Sequence, residues 1–387
     1  MAMDRSRALF RNDISGHCMV FTRPRDLIMA RTADELPVAL ARLENARADG
    51  RWLAGYLSYE AGFDFEDKLR PLIRDHRETP LACFGVFDAP AGNEHPLAQP
   101  PAEPAARPFL TDVRAAWDLE AYRIRFDRLH GHLRRGDCYQ ANLTMPITAT
   151  WHGDARSAFW SLIERQPVRH GALIELGGPV VLSRSPELFF SVDDHGVIET
   201  HPMKGTAARG ATVEEDIAII AAMRGDEKTQ VENRMIVDLL RNDISRIAEV
   251  GSVSVPRLFD IETYPTVHQM VSHVRARLSP GVSVPNILAA LFPCGSITGA
   301  PKLRAMQILH DLETGPRDAY CGAIGWIDPA GPMAFSVAIR TLTLFNDARA
   351  VFNVGGGIVF DSSAEAEYEE CLLKARFAVE RDAIHLD

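Results

Sequence analysis

Four regions of the chain are predicted to be helices, and apolar residues recur at helical spacing in the first three of them. These regions are residues 34–48, 118–135, 213–249 and the segment that follows residue 362. Gly136 is the predicted C-terminal cap of the second helix, because glycine adopts the left-handed conformation that ends many helices. Ser362 and Glu365 have the spacing of a capping box, which predicts where the last helix begins.

Apolar runs bounded by turn residues predict the strands. These runs occupy residues 52–59, 138–144, 171–203 and 320–360. Turn pairs such as Gly177-Gly178 and Ser185-Pro186 divide the third run into an antiparallel meander. Strands grouped in meanders, with helices between the groups, favour an α+β class over a doubly wound parallel sheet.

A proline-rich segment divides the chain. Residues 89–108 contain six prolines, which cannot continue a helix or a central strand, so an exposed linker or long surface loop is predicted. We therefore expect an N-terminal subdomain at 1–88 that contributes strands to a shared sheet. A linker at 89–110 and a catalytic domain at 111–387 are expected to follow.

Composition excludes several classes of protein. The chain has 387 residues, 46% of them hydrophobic, and a net charge of −10, which argues against nucleic acid as a partner. We find no apolar run long enough to span a membrane, and the first ten residues lack the apolar core of a signal peptide. Six scattered cysteines without a C-x-x-C pair argue against a zinc site and a disulfide framework. A cytoplasmic enzyme is expected.

Lys204 is the first candidate for chemistry. It lies in the stretch HPMKGT at residues 201–206, between a proline turn and a Gly-Thr pair. A lysine beside a glycine lets a ligand approach both the amine and the bare backbone, and burial would turn that amine into a nucleophile. The alternative is a solvated turn lysine, because lysines are mostly exposed. Gln140, Asn142 and Thr144 alternate with apolar residues and form either a solvated face or the wall of a polar site.

Two helices present acidic residues that could converge. Glu232 borders a predicted apolar stripe of Val231, Met235, Ile236, Leu239 and Leu240. Glu367, Glu370 and Lys374 share one face of the last helix. Salt bridges at the surface are one explanation. The other is a Mg²⁺ site, since this ion takes one or two carboxylates and fills its shell with waters and an anionic substrate.

Arg340 lies in a predicted strand over residues 335–344, where a charge is unfavourable unless it is paired. Its forked donors suit a carboxylate, from either a buried acid or a ligand. Gly355, Gly356 and Gly357 would let backbone approach that ligand, but no G-x-G-x-x-G follows. The block GSITGAPK at 295–302 also fails as a phosphate loop, which leaves a nucleotide enzyme poorly supported. None of the cysteines lies in a G-x-C-x-G elbow, so the chain lacks an obvious nucleophile for glutamine hydrolysis.

Taken in order, several blocks resemble the chorismate-utilising enzymes, the anthranilate synthase component I family. They are GDCYQANLT at 136–144, SPE at 185–187, the Lys204 stretch, ENRMIVDLLRND at 232–243, His268, GSITGAPK, AIRT at 338–341 and the run 355–370. This resemblance covers roughly residue 118 to the C-terminus. It implies an α+β fold like that of anthranilate synthase component I, with large antiparallel sheets packed as a sandwich and helices outside.

Lys204 distinguishes branches of this family. The pattern Pro-x-Lys-Gly-Thr resembles the aminodeoxychorismate synthase branch, whereas anthranilate synthases carry alanine at the lysine position. Isochorismate and salicylate synthases have a water-activating lysine where this chain has Gln140. The resemblance thus implies amination of chorismate to 4-amino-4-deoxychorismate on the 4-aminobenzoate route to folate. Ammonia would come from a separate glutamine amidotransferase subunit.

The resemblance also implies roles for individual residues. Lys204 would add to chorismate at ring position 2 as the 4-hydroxyl leaves, and ammonia would then add at position 4 and expel the lysine. Glu187 would protonate the departing hydroxyl, with His268 near the same ring edge. Glu232 and Glu370 would hold Mg²⁺, with Glu367 nearby. The implied substrate-binding residues are Gln140, Gly205, Thr206, Tyr320, Arg340, Gly355, Gly356, Gly357 and Lys374.

Two alternatives remain open at this point. Anthranilate synthase, or another chorismate enzyme, would differ in its product. A non-catalytic chorismate-binding subunit would bind chorismate with Mg²⁺ but would not turn it over.

Overall fold

The computed structural model describes residues 6–74, 77–102, 109–264 and 267–386. Its helices, in chain order, are α1 (Glu35–Ala48), α2 (Ala61–Asp64), α3 (Leu119–Arg134), α4 (Ala155–Arg165), α5 (Val213–Gly225), α6 (Glu227–Ser245), α7 (Val284–Leu291), α8 (Gly295–Thr298), α9 (Lys302–Leu312) and α10 (Ala364–Lys374). Short 3₁₀ turns lie at Arg70–Leu72, Pro96–Ala98, Ala375–Phe377 and Arg381–Ala383.

The strands are β1 (Arg7–Arg11), β2 (Cys18–Thr22), β3 (Asp26–Ala30), β4 (Trp52–Leu57), β5 (Ala82–Phe87), β6 (Leu110–Ala115), β7 (Gln140–Trp151), β8 (His170–Glu175), β9 (Val180–Ser185), β10 (Leu188–Val192), β11 (Val197–Thr200), β12 (Met203–Ala208), β13 (Ser254–Thr263), β14 (Val267–Arg277), β15 (Gly299–Ala300), β16 (Ala323–Ile327), β17 (Met333–Val337), β18 (Thr341–Leu344), β19 (Arg349–Ile358) and β20 (His385–Leu386).

These strands form two ten-stranded sheets. The first has the order β2-β1-β8-β9-β18-β19-β7-β6-β20, with β15 also paired to β7. The second has the order β12-β14-β11-β10-β17-β16-β4-β5-β3, with β13 also paired to β14. Among the described strands every pairing is antiparallel except that of β20 with β6.

Three apolar clusters hold the layers together. Between the sheets, Phe21 and Ile174 of the first sheet pack with Tyr56 and Ile324 of the second. The outer face of the first sheet is covered by α3, α4, α9 and α10, and that of the second by α1, α6 and α7. Burial of these apolar faces is the main stabilising contribution. The predicted α+β sandwich with outer helices is confirmed.

Of the two helix ends predicted from the sequence, one is confirmed and the other lies one residue away. Gly136 has φ 74° just after α3, as predicted for its cap. The last helix is capped by Ser363, whose hydroxyl accepts from Ala366 N, so the prediction for Ser362 was wrong by one residue. The Ser362 hydroxyl donates instead to Glu367 at 2.6 Å. Val231 was also misassigned to the buried stripe of α6, because its side chain is 65% exposed.

Two predicted strand regions are divided between the sheets. Residues 171–203 are not one meander: β8 and β9 belong to the first sheet, and β10 and β11 to the second. The chain crosses over at Ser185-Pro186, where proline cannot donate to a sheet ladder. The predicted strand 335–344 is broken in the same way between β17 and β18. Arg340 lies in that break with φ 51°, outside the strand conformation.

The N-terminal residues are part of both sheets. β1 pairs with β8 and β4 pairs with β16, so this region is hydrogen-bonded directly to later strands. Residues 103–108 of the predicted linker lie outside the described residues, and the three-part division of the chain stays a prediction. Within the described ranges, no helix combines the length and apolarity that crossing a bilayer requires.

Candidate active site

The two crossings between the sheets run side by side and bring Glu187 next to the segment of Arg340. Arg184 N donates to Arg340 O at 2.9 Å, and Val337 N donates to Glu187 O at 3.1 Å. The Ser185 hydroxyl donates to Val337 O at 2.6 Å. These bonds fix one crossing against the other, so Glu187 and Arg340 lie on neighbouring segments in one region of the structure.

Lys204 reaches that region from the edge strand β12. The pairing with β14 is irregular between Met203 and Thr206, as in a β-bulge, and Gly205 has φ 76° there. A Cβ on Gly205 would lie only 2.5 Å from Thr229 Cγ2, so both the backbone angle and the space favour glycine. The bulge re-aims the Lys204 side chain away from the regular alternation of the strand.

The Lys204 amine is held in a mixed electrostatic environment. Its Nζ lies 3.7 Å from Glu232 Oε2, and its side chain is 17% exposed. Burial lowers the pKa of Lys204, and the nearby ammonium of Lys374 lowers it further. The carboxylates of Glu232, Glu187 and Glu370 raise it, but burial prevails. An amine with a depressed pKa is neutral more often, and hence nucleophilic, near neutral pH.

Gln140 and Gly357 complete the wall beside Lys204. Gln140 is fully buried, and neither its Nε2 nor its Oε1 has a hydrogen-bond partner among the described residues. A Cβ on Gly357 would clash with Gln140 Nε2 and would lie 3.0 Å from Lys204 Nζ. The missing side chain at Gly357 therefore leaves the space in which the amine and the amide meet. A buried amide without partners is unusual, and a polar ligand would satisfy it.

The Gly-Thr pair after Lys204 is anchored by Gln269. The Thr206 hydroxyl donates to Gln269 Oε1 at 2.7 Å, and Gln269 Nε2 donates to Gly205 O at 2.8 Å. Gln269 was not singled out from the sequence. Its two bonds fix the position of the bulge.

Glu187 has the features of a proton donor. It is 5% exposed, and the Ser296 hydroxyl donates to its Oε1 at 2.7 Å. Burial raises the pKa of Glu187 to about 7, although the bond from Ser296 and the charge of Lys204 oppose this shift. Such a carboxyl is partly protonated at neutral pH. Ser296 lies in the GSITGAPK block, but its role was not predicted.

The acidic face of α10 lies against the triple glycine of β19. Lys374 Nζ donates to Gly355 O at 2.7 Å and lies 2.8 Å from Glu370 Oε1. A Cβ on Gly356 would lie 2.7 Å from Glu367 Oε2, so glycine leaves room for that carboxylate. Burial raises the pKa of Glu367. Burial also opposes ionisation of Glu370, but the charges of Lys374, Lys204 and Lys228 together lower the pKa of Glu370.

Arg340 lies in the crossing beside Glu187, and Tyr320 lies between α9 and β16. Among the residues that the structure describes, no side chain pairs with the Arg340 guanidinium. Burial alone lowers the pKa of Arg340, to about 10. A half-buried guanidinium without a carboxylate is suited to an anionic ligand. Tyr320 is 6% exposed, and burial raises its pKa well above the ordinary value. Its hydroxyl therefore stays neutral and able to donate.

His268 is held by two partners. It is fully buried in β14, with Nδ1 3.0 Å from Thr263 Oγ1 and Nε2 2.8 Å from Asp216 Oδ1. Asp216 also pairs with Arg209, and these bonds lower the pKa of Asp216 strongly. Both ring nitrogens are thus engaged within the protein. A catalytic role for His268 stays a prediction, and Asp216 was not foreseen from the sequence.

The predicted metal ligands fit a hard divalent cation by their chemistry. Glu232 and Glu370 each offer a carboxylate that is now paired with a lysine, Lys204 and Lys374 respectively. Their oxygens and that of Glu367 do not lie within 4.8 Å of one another in the described part of the chain. A cation that is bound partly through waters and a substrate carboxylate does not require these three carboxylates to lie so close together.

Comparison with known proteins identifies the family of the chain. The family of chorismate binding enzymes matches residues 7–380. The aminodeoxychorismate synthase component 1 of Klebsiella aerogenes is 43% identical over 300 residues, which cover 77% of this chain and 66% of that relative. The corresponding protein of Escherichia coli is 40% identical over 299 residues with the same coverage. The anthranilate synthase component 1 of Methanothermobacter marburgensis is 39% identical over 244 residues, 63% of this chain and 52% of the relative.

A solved structure shows the same architecture. The anthranilate synthase component I of Streptococcus pneumoniae superposes with a TM-score of 0.82 at 26% identity, over 94% of this chain and 92% of that protein. The fold implied by the sequence blocks is therefore confirmed. The match of the family over residues 7–380 and the identity to its members lead to one conclusion: the chain belongs to the chorismate binding enzymes.

Proposed function

We propose that this chain is the chorismate-aminating component of an aminodeoxychorismate synthase. It would convert chorismate and ammonia to 4-amino-4-deoxychorismate and water. The observation that carries the proposal is Lys204, a largely buried lysine with a depressed pKa at the position where the resembling anthranilate synthases have alanine. Relatives of that name at 40–43% identity support it.

In the first step the neutral amine of Lys204 would attack ring carbon 2. The two ring double bonds shift toward carbon 4, and the carbon 4–oxygen bond breaks. Glu187, protonated because its pKa is about 7, would give its proton to the departing hydroxyl, which leaves as water. A secondary ammonium on Lys204 and an ionised Glu187 remain.

In the second step ammonia would attack carbon 4. The double bonds return to their original places, and the carbon 2–nitrogen bond to Lys204 breaks, which restores its neutral amine. The new ammonium at carbon 4 would return one proton to Glu187, so both residues end as they began. The sum is chorismate plus ammonia giving 4-amino-4-deoxychorismate plus water.

Binding would use the remaining cations and donors. Arg340, which lacks a protein partner among the described residues, would hold one substrate carboxylate by its forked donors. Tyr320 would donate to the enolpyruvyl group, and the backbone of Gly205 and the triple glycine would let the ring approach closely. Mg²⁺ bound by Glu232 and Glu370, with Glu367 nearby, would neutralise the ring carboxylate.

Ammonia would come from a glutamine amidotransferase partner. All six cysteines are buried in this structure, and burial raises the thiol pKa of those near the site, Cys294 and Cys321, to about 12. Such thiols are poor nucleophiles for glutamine hydrolysis. Gln140, an amide rather than a lysine, cannot activate water, which favours ammonia over hydrolysis.

The test is incubation of the protein with chorismate, Mg²⁺ and ammonium, followed by mass analysis of small molecules and intact protein. We expect 4-amino-4-deoxychorismate, and an adduct of chorismate minus one water on Lys204 when ammonia is withheld. Anthranilate or isochorismate as the product would overturn the assignment. Chorismate binding without any turnover at saturating ammonium would favour a non-catalytic subunit.

The second candidate function is anthranilate synthesis. It is supported by the 39% identity to the Methanothermobacter marburgensis protein, which is close to the values for the aminodeoxychorismate synthases. Identity alone therefore does not separate the two, and the residue at position 204 does.

Alanine at Gly357 should slow the covalent step. The new methyl group would displace Gln140 Nε2 and press on Lys204 Nζ, 3.0 Å away. A misplacement of this size costs about 10- to 100-fold in rate. Single-turnover adduct formation followed by intact mass measures it. Gly356→Ala, whose methyl group would meet Glu367 instead, is the matched comparison: it should raise the Mg²⁺ requirement more than it slows adduct formation.

Alanine at Ser296 should move the basic limb of the pH profile of kcat/KM upward. The Ser296 hydroxyl stabilises the ionised form of Glu187, so its loss raises the pKa of Glu187 further. One hydrogen bond to a charged group corresponds to about one pH unit. Ser336→Ala, which removes a buried hydroxyl bonded to Ile324 O, should leave the limb in place. If the basic limb of Ser296→Ala lies at the same pH as that of the unchanged protein, the limb does not report the pKa of Glu187.

A further inference from the structure

A second cluster of ligating side chains lies outside the proposed active site. Glu199 in β11, His201 just after it and His273 in β14 each place one ligand atom within 4.8 Å of the others. The two imidazole rings lie with centroids 3.9 Å apart and planes tilted by 40°. All three side chains are half-buried.

Two imidazole nitrogens of this cluster are buried without a hydrogen bond in the described ranges. Nε2 of His201 and Nε2 of His273 are both buried, and neither has a hydrogen-bond partner within the described ranges. A carboxylate lies beside each of these nitrogens in an ion-pair contact: Glu199 Oε2 is 3.4 Å from His201 Nε2, and Glu262 Oε1 is 3.9 Å from His273 Nε2. Buried polar atoms are normally satisfied, so two such nitrogens side by side are suited to a shared ligand.

We propose that this cluster binds a transition-metal dication of the Zn²⁺ class. Nε2 of His201, Nε2 of His273 and a Glu199 oxygen would supply three ligands, and Glu262 or a water would take the fourth position. In a tetrahedron with metal–ligand bonds of 2.0–2.1 Å, ligand atoms are about 3.3 Å apart. The 3.4 Å between His201 Nε2 and Glu199 Oε2 already matches that spacing.

The donor types set this cluster apart from the active-site carboxylates. Imidazole nitrogen suits zinc, copper and nickel, whereas Mg²⁺ prefers oxygen ligands alone. The absence of a C-x-x-C pair, which argued against zinc in the sequence, concerns thiolate ligands only.

In each of the two carboxylates, Glu199 and Glu262, the oxygen that faces away from the histidines contacts another side chain. Glu199 Oε1 lies 3.2 Å from Arg275 Nε, which leaves Oε2 facing His201. Glu262 Oε2 accepts from the Tyr264 hydroxyl at 2.7 Å, which leaves Oε1 facing His273. Outer partners that orient the ligating groups in this way are typical of metal sites.

The backbone under the cluster is also fixed. Thr200 pairs with Val274, and Ser272 N donates to Pro202 O at 3.1 Å. His201 lies three residues before Lys204, so a bound metal would fasten the connection from β11 to β12 onto β14. The inference rests on this cluster alone and does not depend on the proposed function.

The experiment is equilibrium binding of Zn²⁺ to the full chain, measured by competition with a chromophoric chelator in excess Mg²⁺. We expect one Zn²⁺ per chain, and Co²⁺ should give the intense visible absorption of a tetrahedral site. His201→Ala and His273→Ala should each weaken Zn²⁺ binding by at least about tenfold. His195→Ala is the matched control, because His195 is an exposed histidine on the turn before β11 and should bind as the unchanged chain.

Two further variants make the result decisive. Glu199→Gln should weaken Zn²⁺ binding while keeping the shape of the side chain, so a folding defect in a histidine variant does not decide the outcome. Glu232→Gln should leave Zn²⁺ affinity unchanged, and a loss there would move the ion to the active site and overturn the proposal. The proposal would also be overturned if Zn²⁺ did not bind stoichiometrically. It would likewise be overturned if His201→Ala and His273→Ala bound Zn²⁺ as tightly as the unchanged chain does.

Discussion

Replacing Lys204 by arginine is expected to reduce formation of 4-amino-4-deoxychorismate at least about 1,000-fold. Arginine keeps a positive charge beside Glu232, 3.7 Å from the present amine, but it stays protonated and cannot attack carbon 2. The intact-mass adduct of chorismate minus one water should disappear with the activity. Steady-state product formation at saturating ammonium measures the first effect, and intact mass without ammonium measures the second.

Lys204→Ala extends this prediction to the identity of the product. Without the lysine, carbon 2 is open to ammonia itself, so residual turnover should place nitrogen at position 2 rather than position 4. Lys68→Ala, which removes an exposed lysine from the turn after α2, is the control and should keep full activity. If Lys204→Arg forms the product within about tenfold of the normal rate, or still carries the adduct, the covalent mechanism is wrong.

Much of the fold could be predicted because local spacing and burial agree. Residues 34–48 and 118–135 became α1 and α3, whose periodic apolar residues pack on the sheets. Val231 is the instructive exception. Its spacing places it in the apolar stripe of α6, but in the structure the residue is 65% exposed. Periodicity gives the face of a helix and not the extent of the surface that meets it.

The sheet to which each strand belongs could not be predicted from local spacing. Apolar runs and turn residues locate β9 and β10, but the hydrogen-bonding partners lie far away in sequence: β9 pairs with β18, and β10 pairs with β17. The same crossing occurs again at Arg340, where a positive φ breaks what the apolar run indicates is one strand. Both crossings adjoin the site, where a departure from regular structure is most often found.

The candidate site was predictable in its residue types and not in its supporting contacts. Lys204, Glu187 and Gln140 were named from the sequence. The structure brings Lys204 and Gln140 together beside Gly357 and places Glu187 close enough to feel the charge of Lys204. Ser296 and Asp216 were missed, because a serine or an aspartate partner leaves no mark on local spacing. The pKa of Glu187 depends on the burial and hydrogen bonding that such partners create.

Replacing Glu187 by glutamine is expected to lower kcat about 10²- to 10⁴-fold, the range for loss of a general acid. The amide keeps the size of the side chain and can still accept from Ser296, but it has no proton to give to the departing hydroxyl. Because the carboxyl pKa is about 7, the unchanged protein should lose activity as the pH rises through that value. Glu187→Gln should abolish this basic limb, and pH profiles of kcat/KM for both proteins measure the effect.

A structural role for Glu187 predicts a different outcome. If the side chain only positions Ser296, glutamine would preserve the rate within about threefold and leave the basic limb unchanged. Single-turnover adduct formation without ammonium adds a second criterion, because the hydroxyl leaves in that step: the Lys204 adduct should form in Glu187→Gln at a rate reduced as much as kcat. An adduct that forms at the normal rate would assign the proton to another donor, with Tyr320 the next candidate on grounds of burial and neutrality.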